Sequence, residues 1–174
     1  AGCRMMEGAI QAATYIVFAM AELDRNKSGM GTTITALLAL GGYAVFGQVG
    51  DSRIYRIVGN AIEQVSNDHS LVAERVRAGL LDPASPEAAM LANIITRALG
   101  MDQVTVDITI EDLHPGDIYL LCSDGLCDML SDDDMLRVVS DSTNLDAAAM
   151  ALVDLANERG GIDNITVALT RALG

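Results

Sequence analysis

The sequence predicts an α+β fold built on antiparallel strands. Three observations lead there: a long amphipathic helix pattern near the start, two apolar strand pairs each closed by a two-residue Gly-containing turn, and a strong late helix running into a final strand. From Glu7 to about Arg25, Ile10, Ala13, Thr14, Val17, Phe18, Met20 and Ala21 recur on a helical period, and Asn26 to Gly31 supplies a stop. Thr33 to Leu40, Gly41-Gly42 and Tyr43 to Val49 read as a hairpin, and Ile54 to Val58, Gly59-Asn60 and Ala61 to Val65 repeat the device. These strands are apolar on both faces, which implies a sheet covered on both sides.

Asp68 to Leu81 and Ser85 to Leu91 read as helices separated by Pro83. A strand from Val104 to Ile110 leads through the Pro115-Gly116 turn into a second strand that ends at Cys122. Ser131 is placed to cap a helix through Val139, with Asp132, Asp133 and Asp134 in its favourable first turn. Leu145 to Arg159 is the clearest helix and stops at Gly160-Gly161, after which Ile165 to Thr170 forms the last strand. Helices before, between and after antiparallel hairpins exclude a Rossmann arrangement.

A chain of 174 residues with 51% hydrophobic content can bury a core, which excludes intrinsic disorder. The most apolar stretch, Ala9 to Leu23, is interrupted by Gln11, Thr14 and Glu22 and is too short to span a bilayer. No cationic signal segment precedes it, so no membrane partner is expected and the chain reads as cytoplasmic. The formal charge of −13, with Lys27 as the single lysine, argues against a nucleic-acid partner. Acidity suits a cation site, although a solvated surface accounts for most of these carboxylates. Cys3, Cys122 and Cys127 form neither C-x-x-C nor zinc spacing. Cys122 closes the apolar run from Ile118, so it is expected as a buried strand cysteine in a reducing compartment.

Five short motifs carry the functional signal: Gly29-Met30-Gly31-Thr32-Thr33, Gly50-Asp51-Ser52-Arg53, Asp68-His69-Ser70, Ser123-Asp124-Gly125-Leu126 and Asp163-Asn164-Ile165-Thr166. Each sits where an apolar run meets a turn, so carboxylates from distant parts of the chain could meet at one rim of a sheet. Hard oxygen donors of that kind suit Mg²⁺ or Mn²⁺. Taken singly, Ser-Asp-Gly and Asp-Asn are common turns; their joint occurrence in order is the signal. Gly29 to Thr33 is not followed by a P-loop lysine, so its glycines are read as structural.

In this order the motifs resemble the bacterial form of the metal-dependent serine/threonine protein phosphatases, the type 2C or PPM family, from about Gly8 to Leu173. The resemblance implies two stacked antiparallel sheets flanked by helices, an α-β-β-α sandwich, with residues 1–174 forming one catalytic domain. It implies hydrolysis of phosphoserine and phosphothreonine in proteins by a water activated between Mn²⁺ or Mg²⁺ ions, two in number, with a looser third. Asp124 and Asp163 match the ligands of one catalytic ion, and Asp68 matches the position that shares the third ion with Asp124. Asp51, Ser52, Arg53, Ser123, Gly125, Asn164, Gly31 and Thr32 match supporting positions around them, and Leu71 to Asn93 matches the family's variable flap. The family's opening Arg, acidic pair and Asp-Gly-Met-Gly-Gly-His stretch have no counterpart here. The expectation is therefore an N-terminally incomplete domain of impaired activity, with no catalytic residue beyond the metal ligands. His69 and His114 are read as loop histidines bonded to backbone, and neither replaces the family's histidine. The implied partners are a phosphoprotein substrate and a Ser/Thr kinase or its targets.

Two alternatives compete. A haloacid-dehalogenase-type phosphatase needs a nucleophilic Asp two residues before Asp124, where Cys122 stands. A non-catalytic domain of the same family, acting as a protein-binding module, is the reading from another class.

Overall fold

The computed structural model describes residues 1–173. In chain order the elements are α1 (Gly2–Leu23), β1 (Ile34–Leu40), β2 (Tyr43–Val49), β3 (Arg53–Val58), β4 (Ala61–Gln64), α2 (Leu71–Arg77), α3 (Pro86–Leu91), β5 (Asp107–Asp112), β6 (Ile118–Cys122), α4 (Asp124–Cys127), α5 (Asp132–Asp141), α6 (Leu145–Glu158) and β7 (Val167–Arg171). They form two antiparallel sheets flanked by helices and fall into two compact units. One contains Ala1–Asp51 and Asn67–Glu111, the other Ser52–Ser66 and the chain from Asp112 onward.

The first unit holds the sheet β1-β2-β5. Its hairpin pairs Leu40 with Tyr43 across Gly41-Gly42, as the sequence predicts, and Gly41 takes the left-handed φ of 60° that this turn requires. Helix α1 covers β2 through Met6 and Ile10, and Gly47 makes the close approach possible: a Cβ there would lie 2.5 Å from Ile10 Cδ1 and 2.8 Å from Met6 Cγ. The buried stripe of α1 is Gly2, Met6, Ile10 and Thr14. The helix thus begins five residues before Glu7, because a glycine has no side chain for a hydrophobic period to register. Met20, expected on the apolar face, is exposed.

Two further boundaries shift for reasons of hydrogen bonding. β5 starts at Asp107 rather than Val104, whose carbonyl instead accepts the Gln11 side-chain amide of α1 at 2.9 Å. α2 starts at Leu71 rather than Asp68, because the Ser70 hydroxyl caps Ala73 N–H while His69 N–H is committed to the Gly50 carbonyl at 2.9 Å.

In the second unit the sheet order is β4-β3-β6-β7, with each neighbouring pair antiparallel. One face of the central strands carries Tyr55, Ile57, Leu120 and Cys122 into a core with Leu126, Met135, Val139, Leu152 and Ala156 from α4, α5 and α6. α5 begins with the predicted cap: Ser131 accepts from Asp134 N–H, and the Asp134 side chain accepts from Ser131 N–H. Arg159 then bonds Asp134 from the far end of α6, at 2.6 and 2.8 Å. Hydrogen bonds from Arg159 and then Ser131 hold the Asp134 carboxyl well below the usual carboxylate range. No helix among the described residues is long and apolar enough to cross a membrane.

Leu152 is fully buried in this core, whereas Met150 on the same helix is 69% exposed. Leu152→Ala is expected to cost about 2–5 kcal/mol in urea unfolding and Met150→Ala close to none; equal costs would contradict this packing.

Asp107 fastens the first unit. Its Oδ2 lies 3.0 Å from His69 Nε2 and its Oδ1 accepts from Arg97 Nη1 at 2.8 Å. Burial opposes ionisation, but the hydrogen bonds from His69 and Arg97 outweigh it and hold the carboxyl below its ordinary value. A lowered folded pKa means that the stabilising, ionised form is fully present above about pH 4 and is lost as acid protonates it. The urea-midpoint gap between the parent chain and Asp107→Asn is accordingly expected to be wider at about pH 6 than at about pH 3. A gap independent of pH would contradict the role given to this carboxylate.

Candidate metal-binding site

The end of β6 and the start of β7 bring two turns of very different sequence position together. β6 and β7 pair from Ile118–Arg171 to Cys122–Val167. Ser123 extends the pairing by one step, its N–H donating to the Thr166 carbonyl at 3.1 Å. The Ser123 hydroxyl accepts from Thr166 N–H at 2.9 Å and donates to the Asn164 carbonyl at 3.1 Å. Ser123 occupies the N-cap position of α4 but makes no side-chain cap bond, because its hydroxyl is spent on the neighbouring turn.

Gly125 completes the junction. It is buried, and a Cβ on it would lie 2.5 Å from the Asn164 carbonyl oxygen, 3.1 Å from its carbon and 3.4 Å from the Asp163 carbonyl carbon. Only glycine admits this contact, which sets Asp124 beside the Asp163-Asn164 peptide. The sequence placed a turn here; the single helical turn α4, opened by Asp124, was not anticipated.

Both carboxylates are held locally and left available. Asp124 Oδ1 accepts from Gly125 N–H at 2.8 Å, and Asp163 Oδ1 accepts from Asn164 N–H at 2.6 Å. Among the described residues neither forms an ion pair with Lys, Arg or His. Asp124 is half-buried and Asp163 exposed. Carboxylates on two adjoining turns supply the hard oxygen donors that suit a divalent cation with several waters in its shell. Among the described residues, however, no three His, Cys, Asp or Glu side chains form a cluster able to hold a metal.

Asp68 belongs to the first unit, where it is buried and its carbonyl accepts from both terminal nitrogens of Arg77 at 3.2 Å. His69, also buried, accepts Gly50 N–H at Nδ1, 3.1 Å away, which assigns its proton to Nε2 and directs that proton to Asp107. The backbone-bonded loop histidine expected from the sequence is what the geometry shows. His114 instead sits beside side chains, with Arg56 Nη2 at 3.4 Å and Asp117 Oδ2 at 3.7 Å, so the backbone role expected of it is not found. Gly31 and Thr32 pack on Leu99: Thr32 and Leu99 exchange both backbone bonds, and a Cβ at Gly31 would lie 3.1 Å from the Leu99 carbonyl. The structural reading of that glycine motif therefore fits.

Of the remaining positions, Asp51 ends the first unit and Ser52 opens the second. Arg53 donates to the Tyr55 hydroxyl at 3.1 Å. Sequence reasoning missed Arg77 and the Cys122–Cys127 contact. The first has no motif, and the second is visible only once α4 turns the chain back on the strand.

A family model described as Protein phosphatase 2C matches residues 3–157. The protein phosphatase PhpP of Streptococcus pneumoniae is 42% identical over 147 residues, which are 84% of this chain and 60% of that protein. The serine/threonine phosphatase stp of Listeria welshimeri is 37% identical over 155 residues, 88% of this chain and 61% of that protein. This chain thus spans less than two thirds of the length of these relatives. Among solved structures, the S. agalactiae serine/threonine phosphatase matches with a TM-score of 0.87 at 39% identity, over 94% of this chain and 68% of that one. The catalytic domain of the serine threonine protein phosphatase PstP, in complex with two manganese ions, matches with a TM-score of 0.89 at 32% identity, over 99% of this chain and 72% of that one. These neighbours share the two flanked antiparallel sheets. Matched along most of its length by the family model and this similar to its relatives, the chain belongs to the protein phosphatase 2C family.

Proposed function

We propose that the chain forms one catalytic domain of a metal-dependent phosphatase that hydrolyses phosphoserine and phosphothreonine in proteins. The observation that carries this reading is the approach of Gly125 to Asn164, which sets two unpaired carboxylates, Asp124 and Asp163, on adjoining turns. The two manganese ions of PstP support Mn²⁺ or Mg²⁺ as the cation. Asp124 and Asp163 would hold such an ion, which would supply activation of a water and neutralisation of charge on the phosphoryl group.

The protein's own residues orient the donors. Each Asp has one oxygen fixed by the amide that follows it, so its carboxylate cannot rotate away without losing that bond. Ser123 ties the two turns through three hydrogen bonds, two by its hydroxyl and one by its N–H. Asp68 is proposed as the donor for the looser third ion. Asp124 and Asp163 by themselves supply only part of an ion's shell, so turnover by the 174 residues alone is expected to be slow. The three unbridged thiols suit a cytoplasmic setting, and a phosphoprotein made by a Ser/Thr kinase is the substrate in this reading.

Asp124→Asn removes the negative ligand while keeping its size, and Mn²⁺ affinity measured by titration calorimetry should fall at least about tenfold, roughly 1.4 kcal/mol. Asp133→Asn changes net charge equally within the first turn of α5 and should leave affinity unchanged. Equal behaviour of the two variants would remove Asp124 as a ligand and leave the protein-binding module in its place.

Gly125→Ala drives a methyl into backbone rather than into a side chain that can swing aside. A loss of about 1–3 kcal/mol in urea unfolding is expected, together with weakened Mn²⁺ binding. Unchanged stability and binding would contradict the close approach.

A further inference from the structure

Between them, Cys122 and Cys127 enclose Asp124 and Gly125 in a span of six residues. Cys122 is buried at the end of β6, and α4 turns Cys127 back over it so that the two sulfurs lie 3.4 Å apart. Cys127 is half-exposed and receives the Tyr55 hydroxyl at 3.7 Å. Arg53, paired with Cys122 across β3 and β6, donates to the same hydroxyl. Cys3 lies on α1, in the other unit.

We propose that Cys122 and Cys127 are a reversible dithiol–disulfide pair that a hydroperoxide closes around the Asp124 turn. The effect on cation binding rests on the reading of Asp124 as a ligand; closure of the pair does not. Cys127, the less buried of the two residues, attacks the peroxide, whose O–O bond breaks to give a sulfenic acid on Cys127 and one molecule of water or alcohol. Cys122 then attacks the sulfenic sulfur. Its S–O bond breaks, the S–S bond forms, and the departing hydroxide leaves as water with the remaining thiol proton. Two thiols are oxidised and one peroxide is reduced, and a dithiol reverses the process by exchange.

Closure couples to the candidate site through geometry. A disulfide needs its sulfurs about 2.05 Å apart, so from the present 3.4 Å separation the Cys127 side chain, α4 or both must move. Gly125, inside that turn, has no free space on the side of Asn164. In the proposed closure α4 moves with Cys127, and that movement displaces Asp124 relative to Asp163.

The test treats the full chain with a small excess of hydrogen peroxide, then follows intact mass, thiol titration and amide NMR signals. Expected are a mass lower by about 2 Da, loss of two titratable thiols with Cys3 still reactive, displaced Gly125 and Asn164 amide signals, and full reversal by dithiothreitol. Mn²⁺ affinity should fall at least about tenfold on oxidation and recover on reduction. Cys127→Ser should abolish every change, Cys122→Ala should abolish the 2 Da loss and leave only an oxygen adduct on Cys127, and Cys3→Ser should abolish none. Oxygen adducts alone, or disulfides through Cys3, would overturn the pair. A disulfide that leaves the Gly125 and Asn164 signals in place would overturn the coupling. If reduced protein fails to bind Mn²⁺, the metal reading fails by itself, and mass and NMR still decide the pair.

Discussion

The contact on which the candidate site depends is the junction of Ser123 and Gly125 with Asn164 and Thr166. A β-ladder can bring two strands together, but it does not by itself align the turns that leave them. Here the ladder is carried one residue past Cys122 by the Ser123 backbone, and the Ser123 hydroxyl satisfies both an amide and a carbonyl on the opposing turn. Net gains of about 0.5–1.5 kcal/mol per hydrogen bond are modest, yet leaving those groups unmet beside a buried glycine would cost as much or more. The junction is therefore favoured by what its loss would expose.

Glycines do the same work elsewhere. Gly50 takes φ 108° and lies against Thr33, and Gly100 takes φ 98°, where a Cβ would lie 2.6 Å from the Met30 carbonyl. Gly31 meets the Leu99 carbonyl, and Gly47 meets α1. In every case the missing side chain lets one segment approach another more closely than any other residue would allow. That explains why Gly29-Met30-Gly31 is a packing motif here, although its composition could also describe an anion cradle.

Charge follows a similar division. Much of the −13 charge lies on exposed carboxylates, and those that are structural are met by cations: Asp134 by Arg159, Asp117 by Arg56, Asp107 by Arg97. Asp124 and Asp163 differ: among the described residues each has only the amide that follows it as a partner. A protein with 11 Lys and Arg against 24 Asp and Glu has carboxylates to spare, so surplus alone is a weak argument. Two carboxylates on turns that a glycine holds together are a stronger one.

The sequence by itself determined most of the elements and their type, α4 excepted, because these rest on local chemistry. The Gly41-Gly42 and Gly59-Asn60 turns, the Ser131 cap with Asp134 and the burial of Cys122 were all legible as spacing and residue type. The motif order also showed the family. Tertiary structure decided the boundaries where a backbone group found a distant partner, as Val104 did with Gln11 and His69 with Gly50. It alone decided the meeting of Gly125 with Asn164 and of Cys122 with Cys127. Strand pairing brings residues some forty positions apart to within hydrogen-bond distance, and no local preference of either segment encodes that separation.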